Sequence, residues 1–534
     1  MPLQEPADRE RDMYYHGLPS HPRLVARSGT TPWSQPHEWP ERKKLDVATG
    51  HKIQQLWNDP QGSLRQLVVS TLTGVEWNAI DILRVGYESA YEDTDRSSEC
   101  PVTMLISVSQ DSTSFRRAEA AIIACKDILN RFDLDDVQVE MKESIVTFAA
   151  TSPIATTNST QGSQVARRLL PGPFTNDFAD LKYETIRDMS EYVGTSIGAS
   201  QLPLEKQKSG TKCVHLRGDN GKTYALTCRH VLFLDEDCEE YRYTSGQNIV
   251  AKDVIQPAKL TGDRVVDSFA SKKHGFDMSV DLTAKPSHSN PDFKAARPGF
   301  LRKQAVVQSC QPLIDELNKG GSAVVGRVEF SPLMELCPQG LRFKDWALVE
   351  LSQDGFTTGL AQLKNKVPVT QKLQVMLTEI SGSITKSERS LDFDDSLEVE
   401  IGPDTIDGSD LEDATHRNLR GDKGLIVMKH GLKTGFTIGL ANGIHSVIRH
   451  ASDVVGDVTS SEWCIIGMDG KAFSDVGDSG ACVFDLEGRI GGMITSGLEA
   501  GKTPLGEHDV TYATPMQWFL EDIKGAGYDV KLPK

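Results

Sequence analysis

The run Ser474-Asp475-Val476-Gly477-Asp478-Ser479-Gly480-Ala481 sets a serine between two glycines, directly after an aspartate. A glycine at 477 lets the main chain turn with no side chain in the way, so the amides of Gly477 and Ser479 can point together at a developing oxyanion. The same residue types also build ordinary surface turns, so this stretch needs partners before it means acyl transfer. A serine hydroxyl is a weak nucleophile at neutral pH and requires a base to take its proton as it attacks. His230 interrupts the apolar run Tyr224 to Phe233, and Asp345 opens the strand-like run Asp345-Trp346-Ala347-Leu348-Val349-Glu350-Leu351. Taken singly, His230 reads as a core histidine and Asp345 as a strand cap. With Ser479 they follow the order His, Asp, Ser, one of the linear orders in which a base, its orienting acid and a nucleophile are presented.

Together these segments resemble the trypsin-like (chymotrypsin-fold) serine peptidases of the intracellular type. Two further stretches carry the resemblance. Gly431-Leu432-Lys433-Thr434-Gly435-Phe436-Thr437-Ile438-Gly439 is similar to the glycine-punctuated strand before the nucleophile in intracellular members, and Tyr512-Ala513-Thr514-Pro515 leads into a terminal helix. The resemblance covers roughly residues 190 to 530.

It implies an all-β double β-barrel (chymotrypsin-like) whose inter-barrel cleft brings His230 and Asp345 to Ser479. The implied activity is a serine endopeptidase working through an acyl-enzyme on protein or peptide substrates, with His230, Asp345 and Ser479 catalytic and Gly477 and Ser479 forming the oxyanion hole. No cofactor and no metal are implied. By the same resemblance Phe473, six residues before the serine, forms the base of a specificity pocket with Thr495, Gly497 and Val510 on its walls. No carboxylate sits there to pair with a substrate Lys or Arg, so an uncharged apolar residue is expected before the scissile bond. Substrate is expected to add a strand along Gly492 to Gly497.

Alternatives bear on each role. Asp277 in Phe276-Asp277-Met278-Ser279 lies nearer His230 in sequence and competes as orienting acid; Asp345 is preferred because its small third residue and apolar continuation fit the family pattern. That choice implies a long insertion over about 235–320. A zinc site from Cys228, His230 and Cys238 lacks the usual finger spacing. The competing functional class is a catalytically silent peptidase-fold scaffold or binding module, against which a complete triad and Gly477 argue. An esterase is disfavoured, since the serine is not in a Gly-x-Ser-x-Gly elbow.

Across 534 residues the formal net charge is −17, from 58 Lys+Arg against 75 Asp+Glu, which disfavours nucleic acid and anionic membrane, since both need cationic patches. Neither is an expected partner. The first 44 residues are rich in Pro and charge with no apolar core, nowhere is there an apolar run of bilayer length, and nine cysteines are few. Val231 follows His230 where secreted members commonly carry a bridging Cys. The expected location is therefore intracellular and cytoplasmic, with the nucleus left open.

The chain is too long for one domain. Residues 1–45 are expected to be a disordered tail. Over 46–149, Pro101 to Val108 reads as a strand, Ser112 or Ser114 as a helix cap followed by Ala118, Ala121, Ile122, Cys125 and Leu129 on one face, and Val137, Val139 and Met141 as a second strand. That β-α-β pattern predicts a small α/β domain, a possible docking site for a regulatory protein partner. The Thr/Ser-rich passage within 150–189 reads as a linker, and Arg167-Arg168-Leu169-Leu170-Pro171 as an exposed, extended stretch. The peptidase domain is expected over 190–534, with insertions near 235–320 and 388–415; the acidic runs Leu234 to Glu240 and Leu391 to Asp413 read as solvated surface.

Overall fold

A computed structural model describes the chain except for residues 1, 34–41, 60, 89–98, 149–167, 173–178, 238, 245–248, 285–290, 338–340, 371–397, 414–415, 418–422, 453–455 and 502–506. The described residues are mostly β, arranged in two large sheets.

The amino-terminal part begins with strand β1 (Arg23–Arg27), followed by β2 (Trp77–Tyr87), β3 (Val102–Val108), β4 (Gln138–Glu143) and β5 (Ile145–Phe148). Strand β3 is buried at every position, Thr103 and Ser107 included, as befits a mostly apolar strand covered on both faces. The helix Phe115–Arg131 crosses from β3 to β4, which are parallel, and buries Ala118, Ala121, Ile122, Cys125, Ile128 and Leu129 against the sheet. Its N-cap residue is Ser114, whose side chain makes no capping hydrogen bond.

The first large sheet holds nine strands and contains the short strands Val214–Gly218, Thr223–Thr227, Asp253–Gln256, Ala323–Ser331 and Ala347–Leu351. Its register matters for the site. Thr227 pairs antiparallel with Ala347, so the chain just beyond one strand meets the chain just before the other.

The second sheet contains β6 (Lys423–Gly431), β7 (Gly435–Ser452), β8 (Gly456–Gly467), β9 (Cys482–Asp485), β10 (Ile490–Glu499) and β11 (Val510–Pro515). Their pairings run β6, β7, β8, β11, β10, β9 and back to β6, a closed circuit of antiparallel strands. Closure leaves few free edges, and its interior is filled by Trp463, Ile465, Ile494, Val483 and Phe473. The helix Met516–Gly525 follows β11 directly.

Three sequence expectations are corrected. The described residues among 1–45 are not a disordered tail: Asp8–Met13 is helical, β1 pairs with β4, and the Tyr14 and Tyr15 hydroxyls donate to Glu140 at 2.6 and 2.7 Å. Low mean apolarity misled, because the few apolar residues there are buried, Tyr14, Tyr15, Leu18 and Leu24 in one cluster and Val25 and Ala26 in another. Nor is the amino-terminal sheet closed on itself. Strand β2 pairs with β7 at Ile80 and Val447, making one continuous sheet, and Ile444 and Val447 join the core beneath Trp57 and Leu64. Finally, Leu169 is not exposed: it is buried, and its N–H donates to the carbonyl of Gly355 at 2.9 Å.

The linker passage up to residue 167 lies outside the described residues, as do Cys238 and the start of the second acidic run. Within 235–320 the chain forms two long helices, Lys259–Ala284 and Pro291–Gly320, which share a core through Phe269, Val307, Ile314 and Leu317. Among the described residues no helix is long and apolar enough to cross a membrane.

Candidate functional site

His230 stands in the short helix Arg229–Leu232 immediately after strand Thr223–Thr227, and Asp345 stands just before strand Ala347–Leu351. The antiparallel register described above therefore brings them together. The Asp345 carboxylate accepts twice from His230, at 3.0 Å from its backbone N–H and at 2.5 Å from ring Nδ1. Nε2 faces the Ser479 Oγ at 2.8 Å. With Nδ1–H donating to Asp345, Nε2 is the acceptor nitrogen and Ser479 the donor. All three side chains are buried.

Burial works to raise the Asp345 carboxyl, but the neighbouring His230 ring and the hydrogen bonds from His230 outweigh it and hold the group below the usual carboxylate range. The competitor Asp277 lies instead on the helix Lys259–Ala284, where it accepts from Gln304 Nε2 at 2.6 Å. It takes no part here.

Ser479 sits between β8 and β9 in a turn fixed from several sides. Its carbonyl accepts from the Thr211 N–H at 2.7 Å, and the Thr211 hydroxyl donates to the Gly477 carbonyl at 3.0 Å. Gly477 has φ +119° and Gly480 φ +90°, a region a side chain enters only with strain. A Cβ on Gly480 would also lie 2.1 Å from the Thr211 carbonyl oxygen. Among the described residues, no backbone carbonyl accepts from the Gly477 or Ser479 N–H.

Asp478, next to the serine, is buried and accepts from the N–H of Lys433 (2.8 Å), the hydroxyl of Thr434 (2.7 Å) and the N–H of Asp475 (3.1 Å). Lys429 Nζ, from β6, lies 3.2 Å from the same carboxylate. Burial would raise the Asp478 pKa, yet Lys429 and these donors more than offset it and keep the group ionised well into acid. The nearby Asp475 goes the other way, pushed up to about 6 by burial.

Cys228, His230 and Asp345 offer ligand atoms within 4.8 Å of one another. The set suits a metal poorly. Both imidazole nitrogens already have partners, and the Cys228 thiol donates to the Ile494 carbonyl at 3.3 Å, its pKa raised by burial and then by Asp345.

The residues expected to form a specificity pocket divide. The Thr495 carbonyl oxygen lies 3.1 Å from Ser479 Oγ, an alternative acceptor to His230 Nε2 for its single proton, and Gly497 lies two residues further along β10. Phe473 and Val510 do not join them: Phe473 packs into the interior of the strand circuit, and Val510 into the cluster with Leu83, Val85 and Tyr512. One position gave no sequence signal. His508 is buried and so close to Gly497 that a Cβ there would lie 2.3 Å from its ring; Nδ1 faces the Ser474 hydroxyl at 2.9 Å. Burial pushes its pKa down to about 4, so the ring is neutral. A histidine in a loop between two strands has no periodicity or motif to mark it.

No family model matches the chain, and no curated protein sequence matches it. Among solved structures it is similar to the Nocardiopsis protease NAPase, at 11% identity and TM-score 0.28, covering 64% of this chain and 98% of that one. It is likewise similar to Cellulomonas bogoriensis chymotrypsin, at 11% identity and TM-score 0.27, covering 64% and 97%. At these TM-scores the likeness carries no weight for the site.

Proposed function

We propose that the chain is a serine endopeptidase with a chymotrypsin-like double barrel over residues 190–534, hydrolysing peptide bonds through an acyl-enzyme on Ser479. The observation that carries this reading is the continuous chain of hydrogen bonds from Asp345 through His230 to Ser479, at 2.5 and 2.8 Å. His230 Nε2 takes the hydroxyl proton as Oγ attacks and returns it to the leaving amine. Asp345 fixes the tautomer and stabilises the imidazolium. The amides of Gly477 and Ser479 are the donors to the oxyanion.

Before the scissile bond the enzyme takes an uncharged residue. Neutral His508, Ser474 and Gly497 line that side of the site, and a substrate ammonium buried among them would be costly without a carboxylate partner. Strong Arg/Lys preference in a peptide-library profile would refute this. The central test is labelling of purified protein with a fluorophosphonate probe: Ser479 reacts, and Ser479→Ala does not. A folded protein that takes up no label would be the silent scaffold instead.

A further inference from the structure

One edge of β10 is divided along its length between three partners. Strand β9 pairs with it as far as Met493. Ile494 then meets the nucleophile turn, its N–H donating to the Ala481 carbonyl at 3.0 Å and its carbonyl accepting from the Gly480 N–H at 2.8 Å, and the Thr495 carbonyl lies 3.1 Å from Ser479 Oγ. From Ser496 onward the edge belongs to β5. Phe148 pairs with Ser496, Thr147 with Gly497, Val146 with Leu498 and Ile145 with Glu499, all antiparallel. The opposite edge is taken by β11. An extended peptide presented to Ser479 by main-chain hydrogen bonds needs this same stretch of β10, in this same direction.

Side chains close the site as well. The Phe148 ring lies against the His230 ring, centroids 5.0 Å apart and tilted by 42°. Thr147 Oγ1 lies 3.3 Å from Nε2 of His508, whose ring packs against Gly497. With β5 seated, Ser479 has no exposure to solvent. Yet the strand is lightly held. β4 is buried at five of its six positions, whereas no position of β5 is buried and Phe148 is 41% exposed. A segment with so few buried contacts belongs to the part of a fold that opens most readily. The two strands meet at Ser144, which is buried and fixed on both sides: its N–H donates to the Val108 carbonyl at 2.9 Å, and its carbonyl accepts from Asn78 Nδ2 at 3.0 Å.

Resting on the peptidase reading above, we infer that β5 is an internal competitive inhibitor. It fills the strand position of the substrate on Ser496–Glu499 and covers His230 with Phe148, and a peptide reaches Ser479 only when β5 swings away about Ser144. Substrate and β5 compete for the same backbone groups of β10. The apparent KM is therefore raised by the reciprocal of the fraction of molecules whose edge is free, while kcat, read at saturation, is unchanged. An edge free in one molecule in ten gives about a tenfold rise.

The test compares purified full-length protein with Phe148→Ala and Thr147→Pro, both outside the catalytic groups. The readouts are the rate of fluorophosphonate labelling and steady-state turnover of a short peptide with an uncharged residue before the scissile bond. Phe148→Ala uncovers His230 at an exposed position, and Thr147→Pro takes an N–H out of the ladder. Expected in both variants are faster labelling and a KM lowered about tenfold with kcat unchanged. Label taken up by the variants alone is the same result carried further. Turnover in all three proteins at one common KM overturns the inference and leaves the peptidase reading standing. A raised KM or a lowered kcat overturns it too, since β5 would then build the site rather than block it. Circular dichroism checks the fold, and if Thr147→Pro does not fold, Phe148→Ala decides alone. Folded proteins none of which labels overturn both readings.

Discussion

Lys429 Nζ stands 3.2 Å from the Asp478 carboxylate, and neither side chain has any exposure to solvent. The residue before the candidate nucleophile is thus held by a cation supplied from within the same sheet, with no new amino terminus required to build the loop. Removing one partner of a buried pair leaves the other charge uncompensated, at a cost of about 3–5 kcal/mol. Lys429→Met should therefore lower the unfolding midpoint and abolish labelling of Ser479 together. The double variant with Asp478→Asn should cost clearly less than the two single variants added, as a double-mutant cycle in urea would read. Simple additivity would mean that the pair is not coupled.

Asp345→Asn should reduce turnover by about 10⁴-fold with little change in stability, because the ring then loses the acceptor that fixes its tautomer. Asp277→Asn should leave turnover within twofold, since its carboxylate serves Gln304 on the helical insertion. The comparison is read from kcat on one peptide substrate.

Acid should destabilise the fold through its buried, neutral histidines. Burial lowers the pKa of His508 and His450 to about 4 and that of His430 to about 3. In the unfolded chain these rings take a proton near pH 6.5, whereas in the folded one they resist until far lower, so their contribution is complete above pH 6.5 and is lost as pH falls towards 4. For His508 alone this is on the order of 3 kcal/mol. His508→Asn should flatten the slope of unfolding free energy between pH 6.5 and 4; an unchanged slope would refute the assignment.

Gly480→Ala should be far worse than Gly221→Ala. Both positions have positive φ, but a Cβ at 221 meets nothing within 4 Å while one at 480 strikes the Thr211 carbonyl. Strain alone costs about 1–2 kcal/mol, and the collision adds to it at Gly480 only. Denaturant midpoints at matched m-values decide this.

A chain starting at Asp180 should not yield a free, soluble peptidase. It would expose Val447, Val510 and Tyr512 and strand Asp509 without Lys142. Coexpressing residues 1–148 as a separate chain should restore solubility. A well-folded, monomeric truncated protein would show that the shared sheet is dispensable.

The sequence by itself determined which residues meet at the site and much of the local structure. Glycines flanking Ser479, an apolar strand ending at His230 and another opening at Asp345 are all local signals, and antiparallel pairing of two short strands suffices to join the last two. The helix Phe115–Arg131 was legible for the same reason: its apolar face repeats with helical period. Tertiary structure alone decided what lies around them. Phe473 turned into the strand interior, His508 came up beneath Gly497, and β5 settled on the edge of β10, each through contacts between residues far apart in the chain. No periodicity records such contacts. The segment from Asp8 to Arg27 shows the same limit from the other side: sparse in apolar residues, it is held by a sheet and a buried carboxylate, Glu140, that the sequence places more than a hundred residues away.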